Sequence, residues 1–353
     1  MIVENVDMCA VAYSQFVKPR SLITSSSSFA YSYMNEEFGI PLALSSNPSS
    51  YVSHLDVHSM WSRLANIYAN WIVHCRLYLR RHLMEELFRA KFGADFPSMQ
   101  EISSHAAYTL VNSEPLIDYG CPTLNRVISI GGIGIKEPKA LDEKWNEVLS
   151  RRSKTVLLSF GSLAKSVHLP VMIKESLMKV VGRFPDVTFI WKYENPDDEF
   201  GKNASSSLPN LVLTSWMPQN DLLNDDRLTA FITHGGMGST QETAVRGKPG
   251  VFIPLFGDQP RNAGMMEYNG LGKHVRIVIK NKKQKEKKYF YWILRLRCRY
   301  RKNVRRISKM LAEKPFKAKE LMIKTVEFAA EFGPSLALRP QSYDMSGIEY
   351  HNL

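Results

Sequence analysis

His234-Gly235-Gly236-Met237-Gly238-Ser239-Thr240 follows a run, LTAFIT (228–233), that reads as a buried strand. It leads into GSTQETAVRG (238–247), which reads as a helix. Glycines such as Gly236 and Gly238 let the backbone approach a ligand and present its N–H groups. The start of a helix adds unpaired donors and a partial positive charge, which together favour phosphate. His234 and Ser239 can donate to the same oxygens. Glu242, one turn into the helix, is placed to accept from ribose hydroxyls. Trp216, at the end of the preceding strand, offers a flat apolar face for a base. Asp258 and Gln259, after the next strand, offer a carboxylate and an amide to sugar hydroxyls. Each of these residues has an ordinary structural use on its own. Their joint spacing reads as a nucleotide-sugar site, in which base, ribose, diphosphate and sugar each find a partner.

The elements that must position these groups form an alternating pattern from Thr155 onward. TVLLSF, VTFIWKY, LVLTSW, LTAFIT and GVFIPL read as strands, with PVMIKESLMKVVGRF, QNDLLND and GSTQETAVRG as helices between them. This alternation predicts a parallel sheet covered by helices on both faces. Ligands of such sheets bind beyond the carboxyl ends of the strands. Upstream, MIVENV, RSLIT, YTLVN (108–112) and RVIS (126–129) read as strands, and Met8–Phe16 as a helix. In residues 58–92, Trp61, Leu64, Ile67, Trp71, Cys75, Leu79, Leu83 and Leu87 recur at helical spacing, predicting amphipathic helices packed on a core. The polar stretch 136–154 reads as a linker with one short helix. The expected domains are therefore 1–135, a linker at 136–154, and 155–353.

The 353 residues leave room for about two domains. Four cysteines without CxxC spacing exclude a disulfide framework or a zinc finger. The formal charge of +12 is concentrated in one place. Between Arg276 and Arg306 stand 14 Lys and Arg residues against a single acid, Glu286, leaving the rest of the chain at −1. A near-neutral body argues against a nucleic-acid partner. The chain opens without a basic and apolar leader and has no run of about 18 apolar residues, so as written it reads as soluble.

The segment W-x-P-Q at Trp216–Gln219, F-I-T-H-G-G-x-G-S ending at Ser239, Glu242, G-x-P and P-x-F-x-D-Q ending at Gln259 resembles the signature of the UDP-glycosyltransferases. It is most similar to the animal UDP-glucuronosyltransferases. SFGS (159–162), NSEPLIDYGCPTLNRVISIGG, SKMLAEKPF (308–316) and EFGPSLALRPQSYDMS extend the resemblance over the chain except for about 275–303, an atypical basic insert. The resemblance implies an α/β GT-B-like fold of two Rossmann-like halves with parallel sheets, the N-terminal half being an incomplete acceptor-binding domain. It implies metal-independent transfer of a hexose or hexuronic acid from UDP-glucose or UDP-glucuronate to a small lipophilic acceptor, with inversion and no cofactor.

By the same resemblance Trp216 stacks on uracil, Gln219 binds the nucleoside, Glu242 the ribose, and His234 and Ser239 the phosphates. Ser162 lies near the diphosphate, Asp258 and Gln259 orient the sugar, and Lys192 takes the place of the family's usual basic residue. Glu4 corresponds to the acid that orients the catalytic His, whose own segment would precede Met1. The C-terminal membrane span of the family would follow Leu353, so both ends are expected to be shortened. Two readings follow: an active transferase, or a non-catalytic donor-domain fragment that binds UDP-sugar or pairs with full-length enzymes. The family implies the endoplasmic reticulum membrane and oligomers with other members. The triplet Asn203-Ala204-Ser205 fits a lumenal glycosylation acceptor.

Overall fold

The structure, a computed structural model, describes residues 1–29, 34–35, 40, 42–275, 297–345 and 349. It divides into two compact units, Met1–Ile133 with Pro315–Leu353, and Gly134–Lys314.

In the first unit, β1 (Ile2–Glu4), β2 (Ile23–Ser26), β3 (Tyr108–Val111) and β4 (Val127–Ser129) form a parallel sheet in that spatial order. Helix α1 (Met8–Val17) is started by Asp7, whose carboxylate accepts from the Ala10 N–H at 3.2 Å. It ends where Lys18 turns left-handed. Val3, Val11, Leu22, Phe96, Met99 and Ile102 form the core here, the last two from α3 (Met99–Ser104).

The long helix α2 (Met60–Phe92) departs from the sequence expectation. Its helical period is correct, but the apolar stripe is not in a core: Trp61, Leu64, Ile67, Trp71, Leu79, Leu83 and Leu87 are all exposed. The face it buries carries Asn66, Asn70, Val73 and Glu85. Asn66 donates through Nδ2 to the carbonyls of Leu44 and Asn47 and accepts from the Ser49 N–H, and Glu85 accepts from the Met99 N–H. The helix is thus anchored through the backbone of a loop and of the first turn of α3, groups that need hydrogen-bond partners when they are covered. A hydrophobic period cannot register that requirement.

In the second unit, α4 (Glu143–Ser150) precedes β5 (Thr155–Ser159), followed by α5 (Val171–Gly182), β6 (Thr188–Lys192), α6 (Glu199–Ser207) and β7 (Leu211–Thr214). Then come α7 (Gln219–Asn224), β8 (Leu228–Thr233), α8 (Met237–Val245), β9 (Gly250–Phe252), α9 (Gln259–Tyr268), β10 (Gly272–His274) and α10 (Arg297–Ala312). The strands pair in parallel in the order β10-β9-β8-β5-β6-β7. This is the doubly wound order, in which the chain runs outward in one direction from β5 and in the other from β8. Residues of β5 are buried throughout, as expected of a central strand covered on both faces. One layer of core contains Phe189, Trp191, Tyr193 and Ile232; the other contains Trp145, Leu157, Ile190 and Phe231.

Helices α6 and α9 were not anticipated from the sequence. In α6 the triplet Asn203-Ala204-Ser205 is helical, with Ala204 fully buried and Asn203 exposed. Of the atypical segment 275–303, residues 276–296 lie outside the described residues, and from Arg297 the chain is already in α10. Helix α11 (Ala318–Phe332) belongs with the first unit, whereas the sequence reading ran the second domain to 353. The reason is packing: Ala329, fully buried, sits in one cluster with Ile23 and Leu110 of the first sheet and with Ile130, just past β4. Among the described residues no helix is long and apolar enough to cross a membrane.

Candidate functional site

The doubly wound order makes a specific demand. Between β5 and β8 the connections leave toward opposite faces, which opens a crevice beyond their carboxyl ends. Ser159 and Thr233 pair at those ends. The loop Phe160–Ser162 follows the first and the turn His234–Gly236 follows the second, so two segments far apart in sequence meet at the crevice.

His234 is held between them. Gly161 has φ +87°, and a Cβ there would lie 2.7 Å from Cε1 of His234. A Cβ on Gly236 would lie 2.5 Å from its Nε2. The imidazole therefore rests against two backbones that tolerate no side chain. Its Nδ1 is 3.2 Å from the Thr233 hydroxyl. Burial drives the His234 pKa down to about 4, against a weaker upward pull from the Asp258 carboxylate. The ring is neutral at pH 7, able to donate one hydrogen bond and accept another.

This depressed value predicts a pH effect on stability. The unfolded chain binds the His234 proton below about pH 6.5 and the folded chain only below about pH 4. Stability contributed by this group therefore falls as pH drops through that window. The expected contribution is of order 2 kcal/mol after allowance for partial exposure. Thermal melts of the parent and His234→Gln between pH 4 and 7 check it: the variant should show a shallower decline.

Helix α8 starts at the same turn. Its N-cap, Gly236, supplies no side-chain bond to the first-turn N–H groups, and Gly238 opens onto free space. The first N–H groups of the helix thus lack intrahelical partners beside His234 and Ser239. Ser239 is nearly buried, and Ser162 is exposed on the facing loop. Lys192, the last residue of β6, donates from Nζ to the Gly161 carbonyl at 2.9 Å and lies 3.9 Å from Glu194. It braces the Gly161 loop from the neighbouring strand.

One turn along α8, Glu242 accepts a hydrogen bond from Nε2 of Gln219, the first residue of α7. This bond joins the loop after β7 to the helix after β8. Burial raises the Glu242 carboxyl above the ordinary range, while the Gln219 amide and the Arg246 guanidinium act to lower it. Trp216 precedes Gln219 in that loop and is 68% exposed, which leaves an indole face open. The Thr214 hydroxyl donates to the Trp216 carbonyl at 2.6 Å and fixes the loop.

Asp258 and Gln259 begin α9. The Asp258 carboxylate accepts from Nδ2 of Asn262 at 2.8 Å, and the same Nδ2 donates to the Gly235 carbonyl at 3.1 Å. Asn262, fully buried, ties Asp258 to the His234 turn and was missed in the sequence. Its signal was there, since positions four apart share a helix face. Gln259 is buried, with Oε1 accepting from the Leu255 and Phe256 N–H groups at 2.8 and 3.0 Å. That oxygen shapes the turn before Asp258.

Glu4, in the first unit, ends β1. Its carboxylate accepts from the Ser25 hydroxyl at 3.2 Å and the Ser27 N–H at 3.1 Å. Among the described residues no group of three or more His, Cys, Asp or Glu side chains could hold a metal ion.

Comparison with known proteins gives this geometry a family. Ugt-48 of Caenorhabditis elegans, which carries the name of a UDP-glucuronosyltransferase, is 28% identical over 99% of this chain. Human UDP-glucuronosyltransferase 1A3 is 29% identical over 87% of it. The chain spans 66% of the length of the nematode relative and 57% of the human one. The solved structure of LpCGTa in complex with UDP matches with a TM-score of 0.57 at 16% identity, over 93% of this chain and 74% of that one. The likeness to solved glycosyltransferases shows the GT-B fold. The family described as UDP-glucoronosyl and UDP-glucosyl transferase matches residues 1–353, and the chain belongs to that family.

Proposed function

We propose that the second unit binds a UDP-sugar and that the protein transfers the sugar, with inversion, to a small lipophilic acceptor. The observation that carries this reading is the Gln219–Glu242 bond. It couples the exposed indole loop to the helix whose uncapped N-terminus meets His234.

In this reading uracil stacks on Trp216, and Gln219 and Glu242 take the nucleoside and its ribose hydroxyls. The diphosphate sits on the first turn of α8, receiving backbone N–H groups from Gly236 to Ser239. The Ser239 and Ser162 hydroxyls and the neutral imidazole of His234 add to these donors. When the anomeric carbon–oxygen bond breaks, negative charge grows on the departing β-phosphate. Donors already aimed at that oxygen stabilise the transition state more than the ground state. Asp258, steadied by Asn262 and by the turn Gln259 shapes, accepts from sugar hydroxyls. Lys192 keeps Gly161 against His234. Glu4 takes the role of an acid orienting an imidazole base that removes the acceptor proton. Family membership weighs for transfer over a donor-binding fragment that does not turn over. UDP-glucose and UDP-glucuronate both fit these contacts. An endoplasmic reticulum location rests on the family and on the exposed Asn203 of the glycosylation triplet.

Calorimetric titration of the chain with UDP, UDP-glucose and UDP-glucuronate tests the donor reading. One saturable site is expected. Trp216→Ala should weaken it about tenfold, because base–aromatic stacking is worth about 1–3 kcal/mol. Undiminished UDP binding in that variant would remove the indole from the site.

A further inference from the structure

We propose that a second cavity, at the opposite end of the same sheet, binds a small phosphate-bearing anion. The cavity, of about 250 Å³, is lined by Arg246, Lys248, Arg301, Arg305 and Lys309 together with Asp226. It opens at the amino ends of β8 and β9, whereas the donor site lies beyond the carboxyl ends of β5 and β8. It is therefore separate from the nucleotide contacts and calls on none of the residues assigned to them.

The chemistry follows from the charge count. The Arg246 guanidinium donates to the Asn220 side chain and the Lys136 carbonyl, and Lys309 lies 3.8 Å from Glu313. This leaves Lys248, Arg301 and Arg305 against the one lining carboxylate, Asp226. The Asp226 side chain is 93% exposed and 4.0 Å from Arg305, where water screens the pair. The neighbouring Asp225 carboxylate is engaged by Arg227 at 2.7 and 2.9 Å. Lys248 is buried to 7% exposure and donates only to a neutral acceptor, the Asp225 carbonyl, at 2.8 Å. Burial holds its pKa below the usual lysine range; Arg301 and Arg305 press it the same way, against the attraction of Asp226 and Asp225.

The carboxyl end of α8 explains one or two of these cations, since carbonyls there attract positive charge. It does not explain the three that α10 adds. Arg301, Arg305, Ser308, Lys309 and Ala312 recur along one face of that helix, while Val304 and Ile307 are buried. The Ser308 hydroxyl donates to the Val245 carbonyl at 2.6 Å, locking the basic face of α10 over the end of α8. Like charges held around a cavity repel one another, and an anion relieves that cost. Arginine forks suit phosphate oxygens in particular. The volume is below the range of drug-sized sites, which limits the occupant to a pyrophosphate, a small phosphate monoester or a lipid phosphate headgroup.

The test uses the whole chain and inorganic pyrophosphate, titrated calorimetrically with and without saturating UDP. One isotherm should survive UDP. Arg301→Gln and Arg305→Gln should each weaken it roughly tenfold or more, as expected for loss of a charge-assisted bond. Arg306→Gln, outside the lining, should leave it unchanged, and all three variants should melt as the parent does. A parallel sedimentation with phosphatidylcholine vesicles, with and without phosphatidic acid, separates the sources. Pelleting that needs both phosphatidic acid and Arg305 assigns a lipid headgroup; pyrophosphate binding without pelleting assigns a soluble phosphate. The proposal is overturned if no pyrophosphate isotherm depends on Arg301 and Arg305, or if Arg306→Gln weakens it equally. Should UDP itself fail to bind, the donor reading falls while the dependence on Arg301 and Arg305 still decides this one.

Discussion

Gly161→Val is expected to lower UDP affinity by more than about 100-fold while leaving a folded chain. Two effects add. At φ +87° a β-branched residue is forced into a region it rarely adopts, a strain of about 1–3 kcal/mol. Its Cβ would also lie 2.7 Å from the His234 ring, and overpacking of that kind typically costs about 1–3 kcal/mol. The imidazole has no retreat toward Gly236, whose backbone closes its other side. Relief comes only from moving the ring or the Phe160–Ser162 loop, and either movement misplaces donors meant for the diphosphate. Calorimetry with UDP measures the loss, and circular dichroism checks the fold. Gly134→Ala is the control, because a Cβ there meets nothing within 4 Å. If Gly161→Val binds UDP as the parent does, the clasp around His234 is no part of the site.

How far the sequence could be read is clear from the same residues. The strands from 155 to 255 were legible because a parallel sheet buried on both faces writes continuous apolar runs between turns. The site motif was legible where its parts are local: His234, Gly236, Gly238, Ser239 and Glu242 share one turn and the helix it starts. What escaped is what depends on distant chain segments. Gly161 against His234 joins residues 73 apart, and Asn262 to Gly235 joins residues 27 apart. No local period records either. Gln259 shows a second use: its amide oxygen accepts from two backbone N–H groups three and four residues upstream, a contact that the reading of its amide as a sugar partner did not include.

The stripe on α2 shows a further limit. Hydrophobic spacing identifies a helix and one of its faces, but burial belongs to whatever packs against it. Here Asn66 finds partners among loop backbones and Glu85 at the first N–H of α3, and the tryptophans at 61 and 71 do not enter a core. Similarly, net charge named no partner. The basic block contributes Arg301 and Arg305 to a defined cavity, a use that a charge total cannot distinguish from a solvated loop.

Glu242→Ala is expected to reduce UDP affinity by about 100-fold, with Glu242→Gln losing less. The alanine removes the acceptor proposed for the ribose hydroxyls. It also leaves the Gln219 amide without its carboxylate partner in a largely buried place, a loss of about 1–3 kcal/mol beyond the ligand contact. Glutamine keeps an acceptor oxygen of the same reach and so retains part of the binding. The protonation of Glu242 gives an independent check. Burial raises its pKa above the ordinary carboxyl range, so the folded chain holds this proton to a higher pH than the unfolded chain. Stability contributed by the protonated group is therefore lost as pH rises through that raised value. Ribose recognition has the opposite sign, because a carboxylate accepts two hydroxyls and a protonated acid accepts fewer. UDP affinity should weaken as pH falls through the raised Glu242 pKa, at a higher pH than an exposed glutamate would allow. In Glu242→Gln that step should vanish. A UDP affinity profile that keeps the step in the variant would place the titrating group elsewhere and take the ribose away from α8.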